Sequence, residues 1–223
     1  MQHRPVLMAT LLAGVAGWVD ALGFYALAGV FTAHLTGNLV LLGEELVRGG
    51  SGMLPKMLVF PAFFLGVALA AVVHGHRKAR GRSSVRAVLL TEAVAVVGFM
   101  LVGQASGPVA DTADMGTLSL LAVLLGAVAM GVQNAEGRLA LRELGSTAVM
   151  TSNITQCVLD AVHALRARGP ERTRHAQRAR RQFLPIAAFS LGALVAAFAW
   201  RVAAFWGLLP PIAALVVLAA LAD

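Results

Sequence analysis

The stretch Phe31-Thr32-Ala33-His34-Leu35-Thr36-Gly37-Asn38-Leu39-Val40-Leu41-Leu42-Gly43 is apolar enough to enter a membrane. It stops at Glu44-Glu45, short of the ~20 residues a helix needs to cross about 30 Å of hydrocarbon. It also carries His34, Thr36 and Asn38, polar groups that hydrocarbon penalises unless they find partners. A weaker copy follows at Thr147-Ala148-Val149-Met150-Thr151-Ser152-Asn153. Whether these two stretches cross decides the topology of everything around them.

The chain as a whole belongs in a bilayer. Only 13% of its residues are charged, against about 25% in soluble domains. Residues 5–19, 57–73, 116–134, 183–200 and 202–222 run without a charge. All-helical is the expected class, since the strand alternation of an outer-membrane barrel is absent. The first apolar segment is too long for a cleavable signal and is expected to remain as a span. Cys157 is the single cysteine, which excludes an internal disulfide and a cysteine metal cluster. Arg outnumbers Lys 16 to 2, which points to a GC-rich bacterial source.

A net charge of +7 raises nucleic acid as a partner, but the distribution of the charge argues against it. Twelve of the 18 basic residues fall in two segments, 77–86 and 166–181, each between apolar spans. There they read as positive-inside signals facing anionic lipid head groups. The expected partners are therefore the lipid bilayer and a small solute or ion, not nucleic acid; a homo-oligomer is compatible. No cofactor is implied.

Six spans are expected, at about 6–28, 53–73, 85–103, 115–134, 183–200 and 202–221. Pro61 is a candidate kink, and Pro210-Pro211 would make the last helix irregular. A mixed-charge segment with Glu136, Arg138, Arg142 and Glu143 follows the fourth span. The second short stretch, 147–158, and a basic loop then precede the fifth. If neither short stretch crosses, 15 basic residues lie inside and 3 outside. If both cross, the split is 10 to 8, so six spans plus two short re-entrant or interfacial helices are favoured, with both termini cytoplasmic in the inner membrane.

The chain also repeats itself. Gly17-Trp18-Val19-Asp20-Ala21 matches Gly131-Val132-Gln133-Asn134-Ala135, and Thr32 to Asn38 matches Thr147 to Asn153. Leu65-Gly66 with Ala70-Ala71 matches Leu191-Gly192 with Ala196-Ala197. Residues 1–110 and 111–223 are thus read as two membrane repeats of one integrated domain. Three spans per repeat is an odd number, so the halves are inverted, as in many secondary transporters.

The runs Gly17–Ala21 with Phe24, Gly29–Ala33 and Thr36–Val40 resemble the YoaK-like family of bacterial integral membrane proteins. The resemblance covers nearly the whole chain and implies about six spans and a membrane location. It supplies no substrate or reaction. His34 departs from the smaller or amide residue expected at that position.

Asp20 lies about fifteen residues into the first span, where an ionisable group costs roughly 2.5–3.5 kcal/mol on insertion scales. It is the leading candidate to hold a cation or a proton; the bland alternative is a carboxylate that braces a short helix. Thr36, Asn38, Gln133, Asn134, Thr151 and Asn153 are the other candidates for substrate or ion contact. Small polar residues also simply glue membrane helices together. Thr32 and Thr147 (or Ser146) suit helix N-caps. His34 and Glu92 are candidate proton relays. His74, His76, His163 and His175 flank the basic segments, and no pair among them has metal-ligand spacing. Glycines such as Gly14, Gly17, Gly126 and Gly131 read as close helix packing.

The leading expectation is a transporter or channel, not an enzyme, with its site between inverted repeats. A structural or regulatory membrane partner is the first alternative. A lipid- or isoprenoid-modifying enzyme, built on Asp20 with His34, is the second.

Overall fold

The computed structural model describes residues 3–50, 52–139 and 150–222. Thr147, Arg142, Glu143 and the start of the second short stretch lie outside them. Eight α-helices carry the described chain: α1 His3–Ala26, α2 Leu35–Arg48, α3 Met53–Ala79, α4 Ser84–Ser106, α5 Thr117–Leu139, α6 Met150–Arg166, α7 Gly169–Ala203 and α8 Leu209–Leu221.

Among the described residues, five helical stretches are long and apolar enough to cross a membrane: Val6–Ala26, Met53–Ala79, Ser84–Ser106, Thr117–Leu139 and Gly169–Leu221. The last contains a break, because Ala204 takes a positive φ of 48° that ends α7. A 3-10 turn, Ala204–Leu208, leads into α8. Pro210 and Pro211 sit in the first turn of α8, where a missing amide donor costs nothing. They start the last helix at a defined point and do not make it irregular. Large side chains such as Leu69, Phe198 and Val202 point outward, which suits lipid and not water.

The second basic segment is a correction. From Gly169 on it is helical, not a loop, and forms the first part of the 35-residue α7. Arg, Gln and Ala are good helix formers, and Pro170 fits the first turn. With α6 it makes a helical hairpin, turned at Gly169 with φ 57°. α2 and α6 are amphipathic, and α2 closes on Gly49 in the left-handed conformation at φ 66°.

Two helix pairs form the packed heart. α1 crosses α7 and α3 crosses α5, both backbone to backbone. A Cβ on Gly17 would lie 2.2 Å from the Phe189 carbonyl oxygen, and one on Gly131 would lie 2.2 Å from that of Phe63. A Cβ on Gly192 would lie 2.3 Å from the Gly14 carbonyl oxygen, and one on Gly66 would lie 2.1 Å from that of Val128. These positions admit no side chain at all, as close membrane-helix packing requires.

Hydrogen bonds fix which ends meet. Ala28 N–H donates to the Val109 carbonyl and Val109 N–H to that of Ala26, both at 3.0 Å. The end of α1 is thereby tied to the connection after α4. At the other end of α4, the Ser83 hydroxyl donates to the Ala222 carbonyl at 3.1 Å.

Candidate functional site

The opening stretch folds back onto α1. Asp20 is buried, and its Oδ1 accepts from the Thr32 hydroxyl at 3.1 Å and from Ala33 N–H at 2.5 Å. Its Oδ2 lies 2.5 Å from His34 Nδ1. Both carboxylate oxygens therefore have partners, as buried polar atoms require. Thr32 is wedged between helices: its methyl group would meet a Cβ on Gly23 at 2.9 Å and one on Gly126 at 2.7 Å. α2 begins at Leu35 with His34 before it, so Thr32 is not its N-cap. Thr32 spends its hydroxyl on Asp20 instead.

Asn38 is fully buried and pins the same loop from the other side. Its Nδ2 donates to the Phe31 carbonyl at 2.7 Å, and its Oδ1 accepts from Phe31 N–H at 3.0 Å. Thr36 is exposed. Glu45 of α2 pairs with Lys56 of α3, and Lys56 holds the Glu45 carboxyl below its usual range.

A second polar group lies deeper in the bundle. Glu92 of α4 and Glu136 of α5 are 0% and 1% exposed, and none of their four carboxylate oxygens has a hydrogen-bond partner among the described residues. The two acids are close enough for the charge of Glu136 to act on Glu92. Gln133, one turn before Glu136 on the same face, donates from Nε2 to the Leu12 carbonyl of α1 at 2.5 Å. Its Oε1 is buried and also lacks a partner among the described residues. Leu12 precedes Asp20 by about 12 Å of helical rise, so the two polar groups sit at different depths.

The structure thus separates the sequence candidates. Asp20, His34 and Asn38 gather around one loop, and Gln133 joins the acid pair. Asn134 and Asn153 are half-buried and Thr151 is exposed, on α5 and α6. Glu136 is a buried member of α5, not part of a solvated connector. The signal for it was Gln133-x-x-Glu136 at helical spacing.

The α6–α7 hairpin makes a third cluster. Asp160 is buried, and Asp160, His163 and His175 each offer one ligand atom within 4.8 Å of the others. The two histidines come from different helices, so their linear spacing hides them. They are brought together although the sequence offers no ligand motif. Burial raises the Asp160 carboxyl, but hydrogen bonds with His175 and Gln156 outweigh it and hold the group below its usual range.

A family model described as "Protein of unknown function (DUF1275)" matches residues 8–221. The chain belongs to this family. Over 100 residues it is 31% identical to the UPF0700 transmembrane protein YoaK of Bacillus subtilis (strain 168), a match covering 44% of this chain and 42% of that protein. The aligned part thus spans under half of that relative's length. No solved structure matches. Family membership and the apolar helices together make this DUF1275 chain a multi-helix membrane protein, in contact with the lipid bilayer.

Proposed function

We propose that this DUF1275 chain moves a small solute or ion across the membrane, with Glu92 and Glu136 as the groups that carry a proton or cation. The observation behind this reading is the unpartnered acid pair. Two buried carboxylates near enough to act on each other, with no donor to any oxygen among the described residues, are costly as ions unless a proton or cation joins them. Such groups inside a membrane protein mark transport paths by default. Gln133 Oε1 adds a neutral acceptor one turn away.

The reading includes six crossings and two inverted halves. The glycine contacts support it. Gly17 and Gly131 stand 114 apart, and the residues they touch, Phe189 and Phe63, stand 126 apart. Gly14 and Val128, also 114 apart, meet Gly192 and Gly66, also 126 apart. Such a pattern is what two inverted halves would give, with the α1–α7 and α3–α5 crossings made by matching positions. The Arg-rich end is assigned to the cytoplasm of the bacterial inner membrane, with both termini.

The test is flux in sealed vesicles carrying the full chain, with entrapped proton- and cation-sensitive dyes. Wild-type vesicles should pass protons or a cation, and Glu92→Gln or Glu136→Gln should cut the rate by about tenfold or more. Flux that is absent for every ion and solute tried, or unchanged in both variants, rejects the proposal.

One observation favours a second reading. Asp20 and His34 are in direct contact, as a lipid- or isoprenoid-modifying enzyme would need. Product formation from added lipid or isoprenoid substrates, lost in Asp20→Asn, would select that reading over transport.

A further inference from the structure

We infer that Asp160, His163 and His175 form a binding site for a divalent transition-metal ion of the zinc class, joining α6 to α7. This does not depend on the transport reading.

The donor set is right for such an ion. Two imidazoles and one carboxylate are favoured ligands of zinc, which takes three protein ligands and a water in open sites. His163 is exposed and leaves a fourth position reachable by solvent. The geometry is close to assembled. Asp160 Oδ1 and His175 Nδ1 lie 3.1 Å apart, and two ligands of a tetrahedral zinc at ~2.0–2.1 Å are separated by about 3.3 Å. Asp160 and His163 are three residues apart on one face of α6, and α7 supplies His175 from across the hairpin.

The carboxylate is oriented by a second layer of groups. Gln156 Nε2 donates to Asp160 Oδ2 at 3.1 Å, and Gln182 Nε2 donates to the same oxygen at 3.5 Å. Both amides take Oδ2 and leave Oδ1 on the side of His175. Metal-binding carboxylates are held in this way by their surroundings.

The first half of the chain gives a reason to expect a cation here. Glu45 and Lys56 precede Asp160 and Gln182 by 115 and 126 residues, the offsets of the internal matches. In the first half the Lys56 ammonium serves the acid directly. In the second half that place is taken by a neutral amide, and two imidazoles converge on the acid instead.

The experiment titrates Co2+, followed by visible absorption, into tag-free full-length protein in detergent micelles after chelator treatment, then competes it with Zn2+. One ion should bind per chain and be displaced by Zn2+. His163→Ala and His175→Ala should each weaken binding by about 10–100-fold or more, and Gln156→Leu by about tenfold. His76→Ala, in the other basic segment, should change nothing. His163→Ala is decisive because its side chain is exposed and the Asp160–His175 pair remains in it; circular dichroism and gel filtration check its fold. Unchanged affinity in His163→Ala overturns the inference, as does loss in His76→Ala with none in His163→Ala.

Discussion

Asp20 and His34 stand fourteen residues apart in sequence and 2.5 Å apart in space. With Thr32 and Ala33 N–H on the other oxygen, this contact folds the chain back at the end of α1 and fixes where α2 begins. Removing one member of a buried charged pair costs about 3–5 kcal/mol, because the other charge is stranded. Asp20→Ala takes away all three bonds but strands no buried charge, so a loss of about 3 kcal/mol is expected. His34→Ala leaves Oδ2 of the buried Asp20 without its partner but spares the Thr32 and Ala33 bonds to Oδ1, so it should cost about 1–2 kcal/mol, less than Asp20→Ala. Thermal unfolding in micelles measures both, and equal losses would show that the carboxylate is not the hub.

The glycine crossings predict sharp differences among chemically identical changes. Gly17→Ala and Gly131→Ala place a methyl group against a carbonyl oxygen and should abolish monodisperse folding. Gly43, inside α2, has no atom within 4 Å of a built Cβ. Gly43→Ala should stabilise by roughly 0.5–1 kcal/mol through helix propensity. Gel filtration and melting of the three variants check the order.

Glu45 gives a pH dependence with a definite sign. Its folded carboxyl titrates below the ordinary value, through the hydrogen bond from Lys56 first. The unfolded chain therefore binds its proton at higher pH than the folded one. The pair's contribution is full above the ordinary value of 4.5 and is lost as pH falls through the lower folded value. Melting temperature should drop more steeply on acidification in the wild type than in Glu45→Gln. Identical slopes would mean that the pair adds nothing.

Six crossings predict a labelling pattern. In a Cys157→Ser background, Leu46→Cys and Asp111→Cys should react with an impermeant thiol reagent from one face of sealed vesicles. Arg82→Cys and Leu165→Cys should react from the other. Leu46 and Asp111 labelling from opposite faces would mean that α2 crosses, and six crossings would be wrong.

Much of the scaffold was legible because hydrocarbon imposes length and composition on whatever spans it. α1, α3, α4 and α5 lie close to their expected ranges. The break at Ala204 was not legible, since a single positive φ leaves no compositional mark. The helical start of α7 was hidden by its charge: an arginine run reads as a solvated loop until a partner helix is known to pack on it. Asp20 was found by depth alone, but its bonds tie it to the loop, and nothing in the spacing separates that role from ion binding. Glu136 was missed because Arg138 nearby looks like a membrane boundary, whereas the helix carries the acid into the interior. The Asp160 cluster depends on a hairpin register that only the packed helices reveal.

The glycine contacts also bear on how the molecule could move. A carbonyl oxygen seated against a glycine leaves mated helices little room to slip past each other. If α1 with α7 moves as one beam and α3 with α5 as another, the joint between α1 and α5 is where the Gln133–Leu12 bond would act as a latch and the methyl of Thr32 as a chock. Opening that joint would lift the latch beside the helical turn that carries Glu136. A single rocking step would then change the protein's outline and the setting of a buried, unpartnered acid together.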